Sequence, residues 1–373
     1  MRHLPLSLAV AAALFLALNT AAYADTGYKK GFFITAQDGD RSYGLTINGI
    51  LQPRFVYTFK DGAKDAFDFE ITRARLGFKG FILSKDLTYK FVADFGKGDT
   101  LLVDGVVDYA FSRDFRFRVG QFKRPYSRQF MASATGLQQV DRALTDKAFG
   151  VGRDIGVAIH NGYEKSPELE WVLGVFDGTG DKPHYDVQTD VNGLVIGVSR
   201  TNIPMRFRPV IAARVGYNYG DMAGEGYRES DLHPEKGLRF GVAASGVVDL
   251  GIDDETGSIS ADVDFILKTS GFAASGAFFL RTLTGEGSGL DALGFLLQAG
   301  YVIDGAVEPS LRYARVMPED DADKTLQELG LAVSVYFLGD TFKWTTEVTS
   351  LESEVAGAST MNWRVRSQLQ LCF

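Results

Sequence analysis

The chain has 373 residues, of which 12% are aromatic, and it carries a net charge of −8. Mean hydropathy close to zero marks neither a membrane-helix protein nor a water-soluble one, and the acidic total argues against a nucleic-acid partner. A single cysteine, Cys372, excludes an intrachain disulfide, and four histidines leave little material for a histidine-rich metal site.

The N-terminus reads MRHLPLSLAVAAALFLALNTAAYA. A basic start, an apolar run from Leu6 to Leu18 and an Ala22-Tyr23-Ala24 cleavage pattern define a secretory signal peptide over residues 1–24. Residues 25–44 are expected to form a short periplasmic lead-in. No later apolar run is long enough for a membrane helix.

From Leu45 to Phe373 the chain alternates with period two. TINGILQPRFVYTF sets Leu51, Phe55, Tyr57 and Phe59 against Gln52 and Arg54. LTYKFVADF sets Leu87, Tyr89 and Phe91 against Lys90 and Asp94. FRFRVGQ, ELGLAVSVYF and TFKWTTEVT repeat the pattern, and the C-terminal WRVRSQLQLCF sets Trp363, Val365, Leu369, Leu371 and Phe373 against Arg364, Arg366, Gln368 and Gln370. Strands apolar on one face and charged on the other suit a membrane β-barrel, whose outside meets lipid and whose inside meets water. A soluble sandwich would have to bury many of these arginines without partners.

The joints alternate too. Short ones (Ser84–Asp86, Ser112–Asp114, Ile303–Gly305, Leu338–Thr341) read as tight turns, and longer polar ones lie between them. Seventeen strand candidates result. Single-chain bacterial barrels have an even number, with both termini on the periplasmic side. The weakest candidate, NGLVIGVSR over 192–200, is therefore assigned to an external excursion, which leaves an all-β antiparallel transmembrane barrel of about 16 strands over 45–373. Trp171, Trp344, Trp363 and several tyrosines suit the aromatic girdles of such a barrel.

On this register the inward faces carry Arg54, Arg73, Arg75, Lys79, Lys90, Arg116, Arg118, Arg206, Arg208, Arg214, Arg239, Arg281, Arg312, Lys343, Arg364 and Arg366. The acids opposed to them are fewer: Asp94, Asp104, Asp108, Glu168, Glu170, Asp262, Asp264, Glu308, Glu328 and Glu347. A basic lumen inside an acidic chain concentrates anions between low-dielectric walls. Phe122–Arg153 interrupts the strands with some thirty residues lacking strand pattern, and such long loops are usually functional.

ITRARLGFKG (71–80), VDYAF (107–111), VGQFKRPYSRQF (119–130), QQVDR (138–142) and GVGRDIGVAIHNG (150–162) resemble the phosphate-selective porin O and P family of Gram-negative outer membranes, and the resemblance runs through essentially the whole mature chain. It implies a sixteen-stranded barrel, usually trimeric, that passes small anions, with phosphate and other oxyanions as candidates. It also implies that the third external loop folds into the lumen, so that Lys123, Arg124, Arg128, Arg142 and Lys147 line or border a constriction. Arg73, Arg75, Arg116, Arg118, Arg206, Arg208 and Arg214 complete the candidate pore-lining, anion-binding set. The terminal Phe373 matches the signal that the barrel-assembly machinery recognises.

The partners implied are small anions, outer-membrane lipid and lipopolysaccharide, that machinery and further copies of the chain in a homotrimer. No cofactor, catalytic residue or metal is expected. A dense inward arginine run is absent, so anion preference is a safer expectation than phosphate selectivity. The alternatives are a general or cation-preferring pore, with Asp94, Asp104, Asp108, Asp262 and Asp264 at the narrowest point, a plugged structural barrel, and an outer-membrane enzyme. GVGRDIG has the wrong glycine spacing for a dinucleotide site, and no G-x-S-x-G supports a serine nucleophile. The acidic run PEDDAD (318–323) reads as solvated loop rather than cation site.

Overall fold

A computed structural model describes residues 24–373 apart from 99, 179, 181–183, 190–194, 202–207, 252–256, 285–291, 319–324 and 356–357. The expected signal peptide up to residue 23 and the acidic run after Pro318 lie outside the described residues. The strands run in chain order. The first five are Asp25–Tyr28 (β1), Phe32–Asp38 (β2), Arg41–Phe59 (β3), Ala66–Ile82 (β4) and Ser84–Asp94 (β5). Leu101–Ala110 (β6), Arg116–Lys123 (β7), Arg153–His160 (β8), Leu169–Phe176 (β9), His184–Thr189 (β10) and Val195–Thr201 (β11) follow. The remainder are Val210–Tyr219 (β12), Arg239–Asp249 (β13), Gly257–Thr269 (β14), Phe272–Thr284 (β15), Ala292–Tyr301 (β16), Val307–Pro318 (β17), Thr325–Leu338 (β18), Phe342–Val355 (β19) and Ala358–Cys372 (β20).

Among the described residues, sixteen of these strands form one ring, β3 to β9 followed by β12 to β20, each antiparallel to its neighbours. The ring closes where β20 pairs with β3, with Trp363 opposite Phe59 and Leu371 opposite Leu51. Closure is what lipid demands, because an open sheet edge has no hydrogen-bond partner there. Of residues 192–200, those from Val195 on fall in a separate two-stranded sheet, β10 paired with β11, outside the ring, and 192–194 lie outside the described residues. The even strand number therefore holds.

Every strand leans one set of side chains outward and the other inward. Leu331 is 58% and Val263 61% exposed on the outer face, while Glu328, Ser334, Asp262 and Asp264 on the same two strands are buried inside. Sixteen strands give a barrel wide enough for an aqueous lumen.

The lead-in is more ordered than its composition suggested. Strand β3 starts at Arg41, four residues before the expected Leu45, and residues 25–38 form a hairpin that continues the sheet. Strand β2 pairs with Arg41–Ile47 of β3, just past the point where Phe373 ends the pairing of β20 at Gly49. The hairpin thus covers an edge that β20 leaves uncovered. The turn expected at Ser84–Asp86 centres instead on Leu83, whose φ is +68°, because β5 already starts at Ser84.

Candidate functional site

Residues 124–152 join β7 to β8 as the third connection at the end of the barrel opposite the chain termini. The segment contains two short helices, Arg128–Met131 (α1) and Leu144–Phe149 (α2), where the sequence showed only an absence of strand pattern. Its hydrogen bonds go to inward-facing side chains of distant strands. The Ser127 and Arg128 N–H groups donate to Asp262 and Asp264 on β14 (3.1 and 2.8 Å). The Val140 N–H donates to Glu347 on β19 and the Leu144 N–H to Glu328 on β18 (2.8 and 2.7 Å). In the other direction, Lys343 on β19 donates to the Leu137 carbonyl and Arg281 on β15 to the Ala148 carbonyl (both 2.7 Å).

Apolar contacts fix the same course. Tyr126, Phe130, Met131 and Phe149 form one buried cluster with Val247, Phe279, Leu296 and Val316 of the wall. The Phe149 and Phe279 rings stack at 5.2 Å. Room for this comes from inward glycines. A Cβ at Gly294 would stand 2.3 Å from the Phe149 ring, and one at Gly330 would stand 2.6 Å from the Gln139 amide oxygen.

At the far side of its course the segment is held by Asp141. Its carboxylate accepts from Arg54 on β3 (2.7 Å), Arg73 on β4 (3.1 Å) and Arg366 on β20 (2.9 Å), while its carbonyl accepts from Arg312 on β17 (2.7 Å). Burial alone would raise the Asp141 carboxyl, but Arg54, Arg366 and Arg73 hold it well below the usual carboxylate range.

The wall from β4 to β8 and the adjoining face of the segment carry the remaining charges. Arg75 pairs with Asp94 (2.7 Å). Asp104 is shared by Lys90 (2.7 Å) and Arg153 (2.9 Å). Asp108 is shared by Arg116 (2.7 Å), Arg118 (3.0 Å) and His160 (2.8 Å). Lys123 donates to three carbonyls, those of Phe130, Met131 and Ala132. Arg142 donates to the Gln129 and Ala132 carbonyls, with Asp146 3.9 Å away. Burial pushes the Arg142 guanidinium and the Lys147 ammonium below their ordinary values, and burial pushes the Asp146 carboxyl up. Neither Lys147 nor Arg364 makes an ion pair among the described residues, and the Arg364 Nε is buried without a hydrogen-bond partner.

The structure therefore divides the candidate set. It brings together Arg73, Arg75, Lys123 and Arg142, sets Lys147 near Arg364 and Arg366 of β20, and places Arg116 and Arg118 lower on the β4 to β8 wall, where Arg118 also binds Glu164 at 3.0 Å. Arg124 is buried against Asp154 and the Val151 carbonyl. Arg128 and Arg214 are buried together on Asp264, at 2.9 and 2.6 Å. These last three are anchors. Each guanidinium is buried in a tight ion pair, although the Arg128 Nη2 has no hydrogen-bond partner, and breaking such a pair strands a charge in the interior. Arg208 precedes β12 rather than lying on it, with its N–H bonded to the Asp177 carbonyl. Arg206 lies outside the described residues. Glu168 is exposed in the turn just before β9 rather than on the strand.

Sequence reasoning missed Arg153 and the role of Asp141. Arg153 hides inside GVGRDIG at the first residue of β8, and Asp141 lies in a segment without periodicity. The inward glycines were the available signal, since alternation puts Gly294 and Gly330 on lumen faces where nothing but a close neighbour excludes a side chain. Phe373 places its ring over Gly49, where a Cβ would come within 2.4 Å, and 6.3 Å from the Phe32 ring.

Solved structures share this architecture. An anion-selective porin from Comamonas acidovorans aligns over 89% of this chain and 100% of its own, at 15% identity and TM-score 0.59. The outer membrane channel DcaP of Acinetobacter baumannii aligns over 89% and 97%, at 14% identity and TM-score 0.59. OmpT of Vibrio cholerae in a trimer form aligns over 87% and 99%, at 13% identity and TM-score 0.52. At these identities the likeness is one of fold. No curated protein matches the chain. The sequence profile of one family does match, over a narrower span than the motifs implied: residues 48–193, from β3 through the 124–152 segment to β10, carry the pattern of phosphate-selective porin O and P.

Proposed function

We propose that this protein is an outer-membrane porin that lets small anions diffuse through a water-filled barrel, and that residues 124–152 narrow its bore. One observation carries the reading: Asp104 and Asp108 on the wall and Asp141 on the segment are each shared by several cations, while Asp94 serves Arg75 alone. Asp104 serves two, Asp108 serves two arginines and a histidine, and Asp141 serves three arginines, while Lys123, Arg142, Lys147 and Arg364 depend on carbonyls, a distant acid or nothing. The balance along this wall is positive inside an acidic chain. Rings of Arg and Lys select anions, and conduction needs several weak sites rather than one tight one. The carboxylates that would favour cations argue against that role here, because Asp94, Asp104, Asp108 and Asp264 are engaged by arginines or a lysine and Asp262 is buried under Ser127.

Lys147 and Arg364 are the residues placed to meet a passing anion first, and an oxyanion suits the planar fork of Arg364. Assembly as a homotrimer fits the fold shared with the trimeric OmpT. Phe373, at the free end of the closing strand, is the recognition point for assembly.

The test is single-channel current in a planar bilayer under a potassium chloride gradient. The reversal potential should lie on the chloride side, and Lys147→Gln with Arg364→Gln should move it toward zero with the pore still open. A potassium-selective pore would overturn the anion reading. Block by added phosphate would narrow the solute class to oxyanions.

A further inference from the structure

The connections at the terminus end are short, except residues 220–238 between β12 and β13. Nothing in the sequence set this stretch apart. Most turns at that end have a handful of residues, as porin turns do. This one enters the barrel. Met222, Ser230 and Asp231 are almost fully buried. The Lys268 ammonium of β14 donates to the Glu225 carbonyl (2.9 Å), and the Ser230 hydroxyl donates to Glu308 on β17 (2.8 Å). The stretch meets the 124–152 segment coming from the opposite end. Arg128 donates to the Gly226 carbonyl (2.7 Å), and the Glu229 N–H donates to the Gly136 carbonyl (2.9 Å).

Glu229 stands at the centre of that meeting. It is 6% exposed and no cation pairs with it among the described residues. Its carboxylate accepts instead from three N–H groups: the Gln129 side chain (3.0 Å), the Gln138 backbone (2.8 Å) and the Gln298 side chain on β16 (2.8 Å). Two of these donors belong to the 124–152 segment and the third to the barrel wall. A buried carboxylate satisfied only by neutral donors is costly to maintain. Here it ties together three pieces of chain that are remote in sequence.

We infer that residues 220–238 are a second lumen insert and that Glu229 is a positioning residue, pinning the 124–152 segment against the β16 side and so fixing the width of the pathway left along β4 to β8. The inference rests on the reading of the barrel as a conducting pore. It goes beyond that reading, because the bore is then set by an element at the terminus end that touches none of the pathway cations named above.

Two measurements test it. The first is conductance. Glu229→Ala removes the acceptor of all three hydrogen bonds, and its single-channel conductance should rise about two-fold with larger current fluctuations, as for a pore whose obstruction is loosened rather than removed. Glu229→Gln, which keeps one acceptor oxygen, should fall between. The second is a disulfide. A Cβ at Gly136 would lie 3.7 Å from the Arg228 Cβ, inside the usual disulfide separation of about 3.5–4.5 Å. Gly136→Cys with Arg228→Cys, in a Cys372→Ser background, should cross-link under mild oxidation. Added to Glu229→Ala, the bond should return conductance to the wild-type value, and reduction should release it again. A merely structural role for Glu229 would not give that reversible rescue. Wild-type conductance in Glu229→Ala, or failure of the disulfide in folded protein, would overturn the inference. Absence of current from the wild type would overturn the channel reading instead, and the disulfide yield alone would then decide whether the two inserts meet.

Discussion

Asp141 holds three guanidiniums with one carboxylate, so its removal has two separable consequences. Asp141→Asn keeps the size of the side chain and deletes its charge. Arg54, Arg73 and Arg366 would then share only Glu70 and Glu347, at 3.4 Å from Arg54 and in contact with Arg366. The local balance becomes more positive by one charge, and the reversal potential should move further to the chloride side. The hold on the segment weakens as well, because charge-assisted hydrogen bonds contribute roughly twice what neutral ones do, and open-channel noise should increase. A shift toward potassium would mean that the three arginines do not face the conducting path.

At the scale of elements, the ring was legible in the sequence and its contents were not. Alternation of Leu329, Leu331 and Val333 against Glu328 and Ser334 is a strong local signal, because lipid and water impose opposite demands on neighbouring residues. Parity excluded 192–200 from the ring, since closure is a global constraint. The course of 124–152 and 220–238 follows instead from single hydrogen bonds to groups remote in sequence, such as Gln138 to Glu308 and Gln298 to Glu229, and no periodicity records those. The N-terminal hairpin was missed for a related reason: its second strand, FFITAQD, pairs with the uncovered edge of β3, which exists only once Phe373 has ended β20 at Gly49. Deletion of residues 25–38 would leave Arg41–Ile47 as an open edge carrying unpaired N–H and C=O groups. Refolded protein lacking the hairpin should aggregate more and show less of the heat-modifiable folded band on gels. Equal yields would show that the edge is tolerated.

Over the whole molecule the charges are sorted by side. Toward β13 to β19 the two inserts bury Asp262, Glu229 and Glu308 against neutral donors, and toward β4 to β8 the cations outnumber the acids they share. The pathway should therefore respond to pH through the few acids that border it outside the strands. Asp141 and Asp146 pull in opposite directions. Asp141 is held below the usual range by its three arginines, so it stays ionised as pH falls, and the stability it contributes above the unfolded aspartate value of ~3.9 is lost only well below that value. Burial raises Asp146 against the opposing pull of Arg142 and Lys123, so it takes up its proton above the ordinary aspartate value. Acidification from neutral pH then removes one negative charge beside Arg142 and Lys123, and it favours the folded state because that state binds the proton more tightly. Anion preference measured as reversal potential should rise as pH is lowered toward the raised Asp146 value. Asp146→Asn should show the higher preference already at neutral pH and flatten that step, whereas Asp141→Asn should leave the step in place. A pH profile that Asp146→Asn does not alter would assign the titration to other groups and place Asp146 off the path.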